Sequence, residues 1–153
     1  MRTCTTVLML LSCVCLYAQV SRSIISIKGV AHQLGTELQN NSQDNEFQRG
    51  IRFRVTVNPD DEITIEQTWL QSNGKTDQMV LIFHPRDILN VDKKYHKNTM
   101  GLAIECKKNA VANYWMDVEH FNSSVDIPCL KDDEKAIERI EKTILRLKEL
   151  SMR

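Results

Sequence analysis

The sequence contains four histidines, the side chains best suited to metal binding or acid–base catalysis: His32, His84, His96 and His120. None of them forms an HxH or HExxH motif, so a zinc site would need ligands from distant parts of the chain. His84 and His96 share one polar segment with Asp87 and Asp92. These four side chains could converge on a metal ion. A solvated loop explains the same residues, and we predict neither a metal site nor a cofactor.

A pair of carboxylates, Asp117 and Glu119, lies two positions apart in a segment with strand-like alternation, so both would occupy one face. Such a pair can divide acid and base roles when burial raises one pKa. The polar flanking residues indicate a solvent-exposed face instead. The sequence contains no GxSxG motif, and its five glycines are dispersed. We therefore predict no enzymatic activity, and a small secreted hydrolase using His84 or His120 with an acid is an alternative.

Trp115 has an unusual position, because strict alternation places it on the same face as the two carboxylates. An aromatic side chain on a polar face is typical of residues that anchor a protein partner. A β-bulge, or a register error of one residue, would reverse this assignment. We predict a binding surface that consists of Trp115, Asp117 and Glu119, together with Arg86 and Tyr95 from the long polar segment.

The N-terminus has the three zones of a secretory signal peptide. A short polar start contains Arg2, an uncharged apolar run covers residues 7–16, and Ala18 provides the small residue before a cleavage site. The apolar run is shorter than the roughly 20 residues needed to span a bilayer. We predict that residues 1–18 are a signal peptide, that residues 19–153 form one secreted globular domain, and that no segment spans a membrane.

Cleavage of the signal peptide would leave two of the five cysteines, Cys106 and Cys129. Two cysteines in an oxidising compartment most simply pair with each other. On the chain-entropy model, closing this loop would stabilise the fold by about 3 kcal/mol. We predict a Cys106–Cys129 disulfide, with two unpaired thiols as the alternative.

The balance of charge excludes two classes of partner. The chain has 20 basic and 20 acidic residues, so it has no basic excess that would attract nucleic acid or an anionic membrane surface. Two sequons, Asn40-Asn41-Ser42 and Asn122-Ser123-Ser124, have middle residues other than proline. We predict a glycoprotein modified at Asn40 and Asn122.

Hydrophobic periodicity predicts an α+β fold. Residues 24–38 have the apolar stripe of an amphipathic helix, and residues 51–57, 62–70 and 78–83 have strand patterns separated by turn residues. A long polar connection over residues 84–100 precedes two further strands, at 102–106 and 111–121. We therefore expect an antiparallel meander of about five strands, covered by an N-terminal and a C-terminal amphipathic helix.

The C-terminal helix has an apolar stripe formed by Ile137, Ile140, Ile144 and Leu147. Its spacing resembles a coiled-coil seam, but it extends over only about two heptads, whereas a convincing seam needs three or four. Packing on the protein's own sheet is the preferred interpretation, and a homodimer through this helix is the second.

These features favour a secreted, non-enzymatic binding protein that recognises an extracellular protein partner. One alternative is an extracellular carrier of a small hydrophobic ligand, which would bind between the sheet and the helices. The small secreted hydrolase is the other. Export, a small domain and the lack of a catalytic motif are the grounds for this order.

Overall fold

The computed structural model describes residues 26–96, 99–107, 111–115 and 118–153. The predicted signal peptide lies outside the described residues. The elements follow in the order α1 (Ile27–Asn40), β1 (Arg49–Val57), β2 (Ile63–Leu70), β3 (Thr76–Phe83), β4 (Ile88–His96), β5 (Thr99–Cys106), β6 (Val111–Trp115), β7 (Val118–Asn122), β8 (Ser124–Leu130) and α2 (Glu134–Ser151). A short 3-10 turn, Pro85–Asp87, connects β3 to β4.

The protein is α+β, with two antiparallel sheets and two helices. The larger sheet has the strand order β1-β2-β3-β6-β7, and the smaller sheet has the order β4-β5-β8. The predicted single meander of about five strands is therefore wrong. The reason is that the chain passes from one sheet to the other three times. It does so between β3 and β4, between β5 and β6, and between β7 and β8.

The three places where the chain passes from one sheet to the other lie side by side. Ile88 pairs with Cys106 in the smaller sheet. The Cys106 amide donates to the Ser123 carbonyl at 2.7 Å, and the Lys107 amide donates to the Asp87 carbonyl at 3.0 Å. The side chains of Lys107 and Asp87 also form an ion pair at 3.0 Å. These bonds fix the bend between the sheets.

The predicted long connection before β5 is mostly strand, because β4 occupies nine of its residues. Charged residues such as Asp92 and Lys94 conceal the strand pattern, while Ile88 and Val91 are buried. β4 is an edge strand of the smaller sheet. Charged side chains on an edge oppose pairing with another chain, which explains a strand with so few apolar positions.

Helix α1 packs on β1 and on α2. The Ser26 hydroxyl caps its first turn by accepting a hydrogen bond from the Gly29 amide at 3.1 Å. Its apolar face, which includes Leu34 and Leu38, is fully buried. A Cβ at Gly35 would lie 3.4 Å from the Val55 side chain, so the helix packs against the strand at this position.

The apolar stripe of α2 is used within the chain. Its four residues named above are 0% exposed, and the helix contacts α1, β4 and the 3-10 turn. The stripe is therefore not free to form a seam between two copies, as the homodimer interpretation requires. Among the described residues, neither helix is long and apolar enough to cross a membrane.

Candidate functional site

The described residues of the predicted binding surface lie in separate elements. Trp115 is the last residue of β6, and Glu119 lies in β7, where it pairs with Tyr114. Asp117 lies outside the described residues. Because one strand ends at position 115 and the next begins at 118, the predicted single strand over residues 111–121 is two strands. The alternation that placed the three residues on one face therefore does not apply.

Arg86 and Tyr95 are both exposed, but they lie at different ends of β4. Arg86 is in the 3-10 turn before the strand, and Tyr95, which is 72% exposed, is near the end of the strand. A strand rises about 3.3 Å per residue, so roughly 23 Å of strand separates Tyr95 from Ile88. Trp115 pairs with Met79 of β3. Met79 lies four residues before Phe83, the last residue of β3, which is followed by the turn that contains Arg86. The backbone positions of Arg86, Tyr95 and Trp115 are therefore separated, and the prediction of a shared surface stays a prediction.

The predicted Cys106–Cys129 disulfide is not formed, and both thiols are free and buried. Cys106 lies beside Ser123, before the start of β8, whereas Cys129 lies near the other end of β8, next to Leu130, which pairs with Met100. Measured along β5, Cys106 lies five residues, or about 17 Å, from the position opposite Cys129. The Cα atoms of a disulfide are usually no more than about 7 Å apart.

Of the residues suggested for a metal site or a hydrolase, the side chains of His96 and His120 lie outside the described part of the structure, and the described ones do not converge. His84 Nε2 lies 4.0 Å from Glu62 Oε1 at a partly exposed position. Asp87 is engaged by Lys107, and the Asp92 carboxylate accepts a hydrogen bond from Asn90 at 2.7 Å. Among the side chains that the structure describes, no three metal-ligating groups lie together.

The structure instead indicates a site at the start of β1, where Phe47 is 64% exposed. We call residues 41–48 the Phe47 loop. The Asn45 carboxamide oxygen accepts hydrogen bonds from the backbone amides of Phe47 and Gln48, both at 2.8 Å. This Asx turn fixes the backbone on either side of the aromatic residue.

Further bonds anchor the same loop to both sheets. The Asp44 carboxylate accepts hydrogen bonds from the amides of Gly50, at 3.0 Å, and Ile51, at 3.3 Å. On the opposite side, the Gln43 amide donates to the Cys129 carbonyl at 2.8 Å. Phe47 is thus an exposed aromatic side chain on an ordered loop, a combination typical of a preorganised contact.

A β-bulge at the beginning of β1 determines where Arg49 lies. Arg49 pairs with Leu70 and Arg52 pairs with Thr68, so two residues of β1 oppose one residue of β2. Gly50 has the positive φ of 61° that this bulge uses. Directly paired residues share a face, and Arg49 therefore lies on the face of Leu70 and Arg52.

We call this surface the arginine face, and it consists of Arg49, Arg52, Arg54 and Leu70, with Phe47 next to it in the chain. The three arginines are exposed, and Leu70 is 47% exposed. Within the described part of the chain, none of the arginines forms an ion pair or a side-chain hydrogen bond. Unpaired guanidinium groups beside apolar side chains are well suited to contact a protein surface.

The free edge of β1 is closed where it adjoins this face. Gln39 of α1 donates a side-chain hydrogen bond to the Ile51 carbonyl at 3.2 Å and accepts one from the Phe53 amide at 2.8 Å. The Asp44 carboxylate accepts hydrogen bonds from the backbone amides of Gly50 and Ile51. A partner therefore cannot add a β-strand over residues 50–53, and side chains are the groups available for recognition.

The thiol cluster, Cys129 with Asn45, Gln48 and Gln67, lies beneath the Phe47 loop. Cys129 Sγ donates to Gln48 Oε1 at 2.7 Å and accepts from Asn45 Nδ2 at 3.2 Å. Cys129 has a positive φ of 64°, which is uncommon for a residue with a side chain. It lies at a bulge where two residues of β8 oppose one of β5.

Gln67 is the second unusual member of this cluster. It occupies a core position of β2, 0% exposed, and neither polar atom of its carboxamide makes a hydrogen bond. Burial raises the pKa of the Cys129 thiol, whereas the nearby Gln67 and Asn45 amides lower it. Buried amides are normally hydrogen-bonded, so the position of Gln67 beside a thiol requires a chemical explanation.

Comparison with family models, with curated proteins and with solved structures found no match. The assignment of function therefore depends on the geometry of the arginine face and the thiol cluster.

Both features were missed in the sequence for identifiable reasons. Phe47 stands in the polar run QNNSQDNEFQ, which reads as an ordinary loop, but a lone aromatic residue there was a usable signal. Gln67 replaces an apolar residue in the alternation of β2, which marks a buried amide. The bulge that turns Arg49 toward Leu70 was signalled only by Gly50.

Proposed function

We propose that this chain is a secreted, non-enzymatic binding protein that recognises a protein partner outside the cell through the arginine face and Phe47. The observation that carries the proposal is an aromatic side chain, 64% exposed, held on an ordered loop that leads directly into the strand carrying three unpaired arginines. Aromatic residues and arginine are enriched in the energetically dominant centres of protein interfaces.

The order of the loop supports the proposal, because immobilising side chains and loops on binding costs free energy. The hydrogen bonds of Asp44 and Asn45 fix the loop before any partner arrives. The part of the proposal that concerns secretion rests on the signal-peptide pattern of residues 1–18 and on the two sequons. The asparagines of both sequons, Asn40 and Asn122, are exposed and would be accessible to a glycan.

The carrier alternative has less support. A groove of about 340 Å³ lies between α1 and β1, but His32, Thr36 and Arg54 are among its lining residues. Sites for hydrophobic ligands are mostly apolar with few polar groups. The hydrolase alternative depends on His84 or His120 acting with a carboxylate. His84 Nε2 lies 4.0 Å from Glu62 Oε1.

The test is affinity capture of extracellular proteins with three immobilised forms: the wild type, Phe47→Ser and Met152→Ser. Met152 is a matched control, because it is 61% exposed and lies at the end of α2. The proposal predicts at least one protein that the wild type and the Met152 variant retain and the Phe47 variant loses. Identical sets of proteins on all three forms would contradict it.

A further inference from the structure

The thiol cluster brings a nucleophile and an acyl group together. Cys129 Sγ lies 2.7 Å from Gln48 Oε1. The carbonyl carbon is one C=O bond of about 1.23 Å from that oxygen, so it lies within about 4 Å of the sulfur. Reacting atoms in a near-attack arrangement are separated by about 3–3.5 Å. A small rotation of either side chain therefore brings the sulfur to the carbon.

We infer that Cys129 and Gln48 react to form an internal thioester bond. The sulfur of Cys129 forms a bond to the carboxamide carbon of Gln48, and the bond from that carbon to Nε2 breaks. The thiol proton is transferred to the departing nitrogen, which leaves as ammonia. No oxidant, reductant or co-reactant is needed, and the product is an acyl–sulfur bond between the Phe47 loop and β8.

Asn45 is placed to assist this step. Its Nδ2 donates to Gln48 Oε1 at 3.1 Å and to Cys129 Sγ at 3.2 Å. A donor on the carbonyl oxygen polarises the acyl group and stabilises the negative charge that develops as the sulfur adds. The same side chain fixes the backbone of Gln48 through its own oxygen. Asn45 is therefore a positioning residue for the acyl group.

Gln67 gives the second, independent observation. Its unpaired carboxamide, 0% exposed, is close enough to lower the pKa of the Cys129 thiol. In the starting state the thiol proton is shared with Gln48, and the sulfur must turn away from that oxygen to reach the carbon. The Gln67 carboxamide N–H can donate to the sulfur during this turn and stabilise its developing thiolate character, which gives its buried amide a function.

The surroundings protect the product. Cys129 is 1% exposed, and the Phe47 loop covers it. Exclusion of water slows hydrolysis of a reactive acyl group. The positive φ of Cys129 and the adjacent bulge direct its side chain toward the loop. An unfavourable backbone conformation at a potential nucleophile is characteristic of functional sites.

The test is a thiol count on the protein secreted from cultured eukaryotic cells, unfolded in mildly acidic guanidinium chloride and treated with N-ethylmaleimide without a reductant. We expect one modified cysteine, Cys106, and a mass lower by one ammonia. Methylamine should then add to Gln48 and release the Cys129 thiol. The predicted N-terminal residue, Gln19, can also lose ammonia by cyclising, so peptide mapping must assign the change to residue 48.

Variants provide the matched comparison. Cys129→Ser removes the thiol and Gln48→Glu removes the amide, so neither should react with methylamine. Gln43→Glu, in the same loop but outside the thiol cluster, should react as the wild type does. Two alkylated cysteines and an unmodified Gln48 in the wild-type protein would overturn the inference, whether or not any variant folds. A methylamine adduct at Gln67 would also overturn the assignment to Gln48.

Discussion

Arg49 pairs with Leu70 across β1 and β2, although simple alternation along β1 would place Arg49 on the buried face with Ile51 and Phe53. The bulge between Arg49 and Arg52 reverses the side on which Arg49 lies. One extra residue thus adds a third cation to the exposed face of the sheet and places it beside Leu70.

The positive φ of Gly50 should make the stability of the protein depend on a glycine at this position. Its φ of 61° is unfavourable for a residue with a Cβ, so Gly50→Ala should lower the free energy of unfolding by about 1–2 kcal/mol. Gly29→Ala is the control, because Gly29 lies in α1 and a Cβ there would meet only Ser26 Oγ at 3.6 Å. Urea unfolding measures both variants, and equal effects would argue against strain at Gly50.

The Asp44 carboxylate should be needed to hold the Phe47 loop in its ordered conformation. Asp44→Ala removes two hydrogen bonds to backbone amides, and we expect a loss of about 2 kcal/mol in stability, since bonds to charged groups contribute roughly 1.5–3 kcal/mol. Amide hydrogen exchange at Gly50 and Ile51 should accelerate. Asp60→Ala, at an exposed turn residue, is the control and should change neither quantity. Unchanged exchange in the Asp44 variant would show that the loop is held by other contacts.

Cys106 should make stability fall at alkaline pH. Burial, followed by the charges of Asp87 and Glu105, raises the pKa of this thiol from 9.0 to about 11. The folded protein therefore holds the proton more tightly than the unfolded chain does. The stabilisation is complete below the unfolded pKa and is lost as the pH rises through the folded pKa.

Urea unfolding at pH 8 and at pH 11 measures this effect. Cys106→Ala is less stable at pH 8 because it leaves a cavity, but it should lose less stability than the wild type over this pH interval. Parallel losses in the two proteins would mean that Cys106 does not contribute to the pH dependence.

The charge of the arginine face should affect binding of the partner. We expect Arg52→Glu to weaken binding about tenfold, which corresponds to about 1.4 kcal/mol. The wild-type affinity should also fall with added salt, because exposed charges are screened over about 10 Å at 0.1 M ionic strength. Arg146→Glu, on the exposed side of α2, should bind as the wild type does. Equal affinities of the two variants in a titration with the captured partner would show that the arginines do not take part.

The sequence predicted the elements whose side chains follow a clear period. The first helix was expected at 24–38 and lies at Ile27–Asn40, and the first three strands fall within two residues of their expected bounds. Each of these elements has one apolar face and is limited by turn or capping residues. The C-terminal helix was predicted for the same reason.

The strand expected at 102–106 is β5, but the other strands were missed or joined where the pattern is irregular. β4 is an edge strand rich in charged residues, and β8 contains Pro128, a residue largely confined to edges. The sequence between β6 and β7 has neither glycine nor proline near positions 116–117. No local pattern shows that a strand leaves one sheet for another, and for this reason the division into two sheets could not be predicted.

The site was predicted less well than the fold, because its position depends on long-range register. The disulfide prediction followed from the count of two cysteines, whereas the register places their thiols at opposite ends of the β5–β8 ladder. Likewise, Leu70 and Arg49 are distant in sequence and meet only through the bulge.

The most direct test of the proposed function is site-specific photo-crosslinking. A benzophenone amino acid is incorporated at position 47 or at position 152, which are exposed to similar extents, 64% and 61%. Each form is irradiated in extracellular fluid, and the crosslinked products are identified by mass spectrometry. We predict a discrete adduct with one protein from position 47 and none from position 152. The same products from both positions, or no adduct from position 47, would contradict the proposal that this face binds a protein partner.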